Sequence, residues 1–242
     1  MRDDVDTLGG SDAANRQGGR RDETDKHTDD APLCKIRLHV ERAAILVSGG
    51  GTNLQAIIDA KERGELPHAD IALVVSSDRA AFALERAKKA GIQQAALDES
   101  DYTHDGVFDD VKYDDDLSAL LRKNNIDIVV LAGFLVIVGS KVLDLYKNRI
   151  INVHPSLIPS FCGDGFYGLF VHEAALKRGV KISGATVHFV NEITDGGKII
   201  MQRAVEVVDG DTPETLQRRV MEQAEWIILP RALEALCAGK LE

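Results

Sequence analysis

Ala43-Ala44-Ile45-Leu46-Val47-Ser48-Gly49-Gly50-Gly51-Thr52-Asn53-Leu54-Gln55 passes from an apolar run through a glycine turn into helix-compatible residues. A short, continuous apolar run bounded by turn residues is the pattern of a strand buried on both faces. With the helical spacing from Thr52 to Arg63 it makes a strand–turn–helix unit. The same alternation recurs downstream. Ile71–Ser76, Ile126–Leu131 and Ile150–Val153 read as buried strands, and Ala80–Ala90, Tyr113–Asn124 and Ser140–Lys147 as helices. Strands alternating with helices form βαβ units, and right-handed crossovers then give a mostly parallel sheet flanked by helices.

The C-terminal third departs from this rhythm. Ala185–Val190 and Lys198–Val208 are strand-like and joined by a turn with Asp195, Gly196 and Gly197, the signature of an antiparallel pair. Asp211-Thr212-Pro213-Glu214 then starts a long helix from about Thr212 to Ala238, with Pro230 as a kink or break. The fold class is therefore α/β: a Rossmann-like, mostly parallel sheet, an antiparallel C-terminal strand pair and a long C-terminal helix.

The outer segments differ. Residues 1–31 are rich in Asp, Arg, Gly, Asn and Thr, with only Val5 and Leu8 as aliphatics, and read as a disordered tail or a partner-binding arm. Residues 32–242 read as a single domain, a size one α/β core supports. Ile36, Leu38 and Val40 alternate with charged residues, so Leu33–Arg42 reads as an edge strand or an extended lead-in.

A formal net charge of −10 argues against sequence-independent nucleic-acid binding, which needs Lys and Arg to displace phosphate counterions. An anionic small molecule is still admissible, because helix-start N–H groups hold phosphate whatever the global charge. No stretch approaches the ~18 apolar residues of a membrane span. Cys34, Cys162 and Cys237 lack disulfide or zinc-site spacing, which fits a reducing cytoplasm and no metal.

In open parallel sheets ligands sit beyond the carboxyl ends of strands, so chemistry is sought after Val47, Leu131, Val153 and Val190. Ser48–Asn53 suits a phosphate, with glycines for close approach and a helix N-terminus for donors; the alternative is a tight turn capped by Thr52 or Asn53. Asn152 and His154 lie two apart and share a face, an amide donor beside an imidazole, as acyl transfer to an amine requires. Asp195 is either a turn former or the carboxylate that orients His154. His188 reads equally as a sheet or a functional histidine. Leu131–Val138 reads as core wall or as the wall of a pocket for a flat ring.

Ser48-Gly-Gly-Gly-Thr-Asn-Leu-Gln, Leu131-Ala-Gly-Phe, Asn152-Val-His-Pro-Ser-Leu-Ile-Pro, and His188-Phe-Val followed by Asp195-Gly-Gly together resemble the folate-dependent glycinamide ribonucleotide formyltransferases, from Ala43 to the C-terminus. The resemblance implies transfer of the formyl group of 10-formyltetrahydrofolate to the amine of glycinamide ribonucleotide, in purine biosynthesis. It implies Asn152, His154 and Asp195 as the catalytic trio, with Asp195 keeping His154 charged. Gly50, Gly51, Thr52 and Asn53 would bind the substrate phosphate and Glu225 the substrate. Leu135, Val136, Ile137, Val138 and Asn191 would form the folate pocket. No metal is needed, and the assembly would be a monomer or homodimer. The chain departs from the pattern at Val136, where many members carry arginine, at Phe170, where histidine is frequent, and in a long Ser160–Gly168 connection. Its acidic Glu99–Asp116 segment, lacking a basic residue some members have, reads as a solvated face. A deformylase-like hydrolase and a non-catalytic nucleotide-binding module are the competing readings.

Overall fold

The strand that begins at Glu41 carries apolar residues on both of its faces, and this places it at the centre of the sheet. The computed structural model describes residues 39–241. The tail expected over residues 1–31 lies outside the described residues.

In chain order the elements are β1 (Glu41–Val47), α1 (Thr52–Glu62), β2 (Ala69–Ser76), α2 (Phe82–Lys89), β3 (Gln94–Ala96), a 3₁₀ turn (Glu99–Tyr102), β4 (Thr103–His104), β5 (Val107–Phe108) and α3 (Asp110–Lys123). They continue with β6 (Ile128–Leu131), α4 (Ser140–Leu145), β7 (Ile150–His154), α5 (Leu169–Arg178), β8 (Ile182–Phe189), β9 (Ile199–Glu206), α6 (Pro213–Val220), a π-helical turn (Met221–Glu225) and α7 (Trp226–Cys237). The main sheet runs β3-β2-β1-β6-β7-β8-β9, and β4–β5 is a separate hairpin. From β3 to β7 the pairs are parallel; β7–β8 and β8–β9 are antiparallel, as the glycine turn before Lys198 implies.

Alternation along β1 splits the interior in two. Ala43, Ile45 and Val47 pack with α1 and α7 residues such as Leu54, Ile57, Leu229 and Leu233, whereas Ala44 and Leu46 pack on the other face with Leu117, Leu121 and Val142 of α3 and α4. Ile45 and Leu46 are fully buried; each such side chain contributes about 1.5–3 kcal/mol through apolar area removed from water. A charge at either position would unseat both layers. Strand order reverses beside β1, with β2 on one side and β6 on the other, and at this point the loops after β1 and β6 diverge into a crevice.

Several expectations need correction. Glu41 and Arg42 belong to central β1, paired with Ala69 and Asp70, rather than to an edge strand. Leu169–Arg178 is a helix, over a stretch where the sequence pattern marked no element. The C-terminal helix runs through Pro230; its irregularity is instead the π turn, where the Trp226 N–H reaches the Met221 carbonyl five residues back. The acidic segment is not simply solvated. Asp114 is buried and its carboxylate accepts the Lys141 and Val142 N–H groups, capping α4 from outside, and Asp116 accepts the Tyr102 hydroxyl.

Candidate active site

Asn152 and His154 end β7, and the antiparallel register sets His188 opposite Asn152 and Thr186 opposite His154. Four polar side chains thus share one face beside the carboxyl edge of the parallel strands. The turn after β8 folds back over this face and delivers Asp195. That turn is set by sterics: Asp195 has φ 55°, and a Cβ on Gly197 would lie 1.7 Å from the Phe189 carbonyl oxygen. Only glycine fits so close to backbone.

The Asp195 carboxylate does not cap its own turn. Oδ2 lies 3.4 Å from His154 Nδ1 and accepts the Gly163 N–H at 2.9 Å; Oδ1 lies 3.5 Å from both Asn152 Nδ2 and His188 Nε2. His154 Nε2 donates to the Phe161 carbonyl at 2.8 Å. His188 Nδ1 donates to the Phe189 carbonyl at 2.8 Å, and its Nε2 sits 3.2 Å from Asn152 Nδ2. The neutral His188 ring accepts from that amide; a doubly protonated one would donate to Asp195.

Electrostatics sharpen the roles. Burial pulls His154 below the ordinary imidazole pKa, and this outweighs the opposing pull of the Asp195 charge and the Phe161 carbonyl. Before any substrate is present, desolvation thus outweighs the Asp195 charge and favours the neutral imidazole. For Asp195, burial alone would raise the pKa, but the His188 contact, the Gly163 N–H and the neighbouring imidazoles together hold it below the usual carboxylate range. Asp195 is ionised at neutral pH. His172, fully buried on α5 with no partner for either ring nitrogen, is driven down to about 4, chiefly by burial and further by His154.

Behind β1 the glycine turn is tied into the crevice by Ser48, whose N–H donates to Gly133 O at 3.0 Å and whose hydroxyl accepts the Leu135 N–H at 2.9 Å. Helix α1 has Gly51 as N-cap, in the left-handed region at φ 69°, and no side-chain cap. The reading in which Thr52 or Asn53 caps this helix is thus excluded. Asn53 turns inward, donating at 2.7 Å to Glu225, a buried carboxyl pushed up to about 7 by desolvation. The turn therefore offers an anion its backbone N–H groups rather than Asn53's side chain, and Glu225 lies directly beneath.

On the other flank Leu135 and Ile137 are 60% and 77% exposed, with Ile193 at 67% on the facing loop, an apolar surface left open. Val136 is half-buried and Val138 lies in the core beneath. An open cavity of about 660 Å³ lies along Leu135–Ile137 and is lined also by Phe108, Val111 and the acidic start of α3; none of Asn152, His154 and Asp195 lines it. Asn191 is exposed and its side chain accepts the Ile193 N–H in its own turn. Phe170 is exposed and stacks edge-on against Tyr167. Among the described residues no three His, Cys, Asp or Glu side chains gather as a metal would require.

Residues 41–233 match the model of the formyl transferase family. The chain belongs to that family. The chain is 37% identical over 202 residues to phosphoribosylglycinamide formyltransferase of Haemophilus influenzae, covering 84% of this chain and 90% of that one. It is 41% identical over 199 residues to the trifunctional purine biosynthetic protein adenosine-3 of Bos taurus, covering 82% of this chain but only 18% of the relative. Among solved structures, glycinamide ribonucleotide transformylase 1 from Symbiobacterium toebii superposes with a TM-score of 0.76 at 39% identity, covering 84% of this chain and 91% of that one.

The main-chain contributions of Phe161 and Gly163 were not anticipated from sequence. Backbone carbonyl and amide groups carry no residue signature, and only the long Ser160–Gly168 connection marked the place.

Proposed function

We propose that the formyltransferase moves the formyl group of 10-formyltetrahydrofolate to the amine of glycinamide ribonucleotide, giving formylglycinamide ribonucleotide and tetrahydrofolate. The observation that carries this reading is the buried Asn152–His154–Asp195 cluster, with His154 Nδ1 held 3.4 Å from an ionised carboxylate. The substrate phosphate is assigned to the backbone donors of Gly50–Asn53, the substrate's sugar side to Glu225, and the folate ring to Leu135–Ile137 and the Asn191–Asp195 turn. The free thiols of Cys162 and Cys237 support a reducing, cytoplasmic setting.

In this mechanism the amine nitrogen bonds to the formyl carbon, and the carbonyl electron pair moves to oxygen. The Asn152 amide donates to that oxyanion. His154 begins neutral, with Nε2–H committed to Phe161, so Nδ1 takes the proton the amine sheds. The new Nδ1–H faces both the oxyanion and Asp195, whose charge favours the imidazolium formed at this stage. That proton passes to folate N10 as its bond to the formyl carbon breaks. The resting charge state fixes the sign of the pH dependence. Activity is retained above neutrality and falls as acid protonates His154, below the ordinary imidazole range.

The test follows folate absorbance with and without glycinamide ribonucleotide, in the wild type and in Asp195→Asn. Amine-dependent turnover reduced by roughly two to four orders of magnitude in the variant, with an unchanged circular dichroism spectrum, is the expected outcome. Formyl loss without the amine would instead identify a hydrolase. Ligand binding without turnover would identify a non-catalytic module.

A further inference from the structure

Each glycine carbonyl of the turn after β1 is anchored away from the crevice. Gly49 O accepts the Ala83 N–H at 3.1 Å and Gly51 O accepts the Gln55 N–H at 2.9 Å, both from main chain. Gly50 O depends on a side chain: Arg86 Nε donates to it at 2.8 Å. The same guanidinium donates through Nη1 to Gln55 Oε1 at 2.9 Å and lies 5.0 Å over the Phe82 ring, so three contacts fix its plane.

A trans peptide carries its C=O and the following N–H on opposite sides of one plane. Holding the Gly50 carbonyl toward α2 therefore aims the Gly51 N–H the opposite way, at the open end of α1. Among the described residues Arg86 supplies the hydrogen bond to that carbonyl, and a Cβ at Gly49 or Gly50 would meet no atom within 4 Å, so no close packing holds these two residues in its place. On the far side of Gly51 the constraint is close packing, since a Cβ there would lie 2.6 Å from the Ala83 Cβ.

We propose that Arg86 is a positioning residue of the phosphate-binding turn, locking the Gly50–Gly51 peptide so that its N–H points at the substrate phosphate. Arg86 also brings a positive charge to the rim of a site in a strongly acidic protein. This rests on the reading of the turn as a phosphate site.

The test compares Arg86→Gln and Arg86→Lys with the wild type, using glycinamide ribonucleotide and its dephosphorylated riboside as acceptors. Arg86→Gln should raise KM for the ribonucleotide roughly ten- to hundredfold, with kcat and KM for the folate within about threefold. The riboside should show no such penalty, and Arg86→Lys, which keeps the charge and a donor, should recover part of the loss. A wild-type KM in Arg86→Gln, or an equal penalty with both acceptors, would overturn the proposal. Titration with inorganic phosphate, read at the Gly51 amide by NMR, separates the two levels of inference. A wild-type phosphate shift lost in Arg86→Gln supports Arg86 even if the ribonucleotide is not the substrate, and a shift retained in the variant refutes it.

Discussion

Helices α1 and α6 begin in opposite ways. At α6 the chain closes its own end: Thr212 Oγ1 accepts the Thr215 N–H, Thr215 Oγ1 accepts the Thr212 N–H, and Pro213 fills the first turn without a donor to satisfy. Asp211 reinforces the cap by pairing with Arg219. At α1 no side chain caps the end, and Asn53, one of the two residues expected to do so, is turned into the interior. With glycine at the N-cap, the missing side-chain cap costs only about a few tenths of a kcal/mol. At α1 the unpaired donors are left at the edge of the crevice, whereas at α6 the chain satisfies them itself.

The largest effect should come from closing the open end. Gly51→Ala places a Cβ against Ala83 in a left-handed backbone. It should lower kcat/KM for glycinamide ribonucleotide by about a hundredfold and stability by about 1–3 kcal/mol, measured by kinetics and urea unfolding. Activity indistinguishable from wild type would mean the turn does not hold the phosphate.

Next is the buried carboxyl beneath α1. The Glu225 pKa is pushed up from 4.5 to about 7, so its contribution to stability is full below pH 4.5 and is lost as pH rises from there through about 7. That difference corresponds to about 3 kcal/mol. Glu225→Gln, which keeps an acceptor for Asn53, should flatten this part of the stability profile measured by urea unfolding between pH 4.5 and 8. An unchanged slope would show that Glu225 titrates normally. The smallest effect belongs to α6: Thr212→Ala should cost about 1 kcal/mol in unfolding while leaving kcat/KM unchanged. A kinetic defect there would erase the contrast between the two helix starts.

The same contrast explains what could be read in advance. β1, β2, β6 and β7 were legible because a doubly buried strand writes itself as a continuous apolar run. Asn152 and His154 were legible because a two-residue period fixes a shared face. Helix α5 was not, since its buried side is only Val171, His172 and Ala175, with Phe170 exposed among them and glycine-rich chain before it. His188 stayed ambiguous because its role comes from cross-strand register, which one strand cannot display. Arg86 lies 36 residues from the carbonyl it holds, and Asp114 caps a helix 27 residues away. Such partners are chosen by tertiary packing, so local sequence carries no trace of them.

The π turn at Met221–Glu225 has one more consequence, for the lengths the chain can adopt there. Its surplus residue is accommodated without displacing α7, whose Leu229 and Leu233 stay locked in the interior. Deleting one of the exposed pair Glu222 and Gln223 would relax the turn to ordinary α-helix while both flanks keep their seats. This helix therefore contains a built-in site for a one-residue gap, and it falls immediately before the carboxyl that lies beneath the glycine turn.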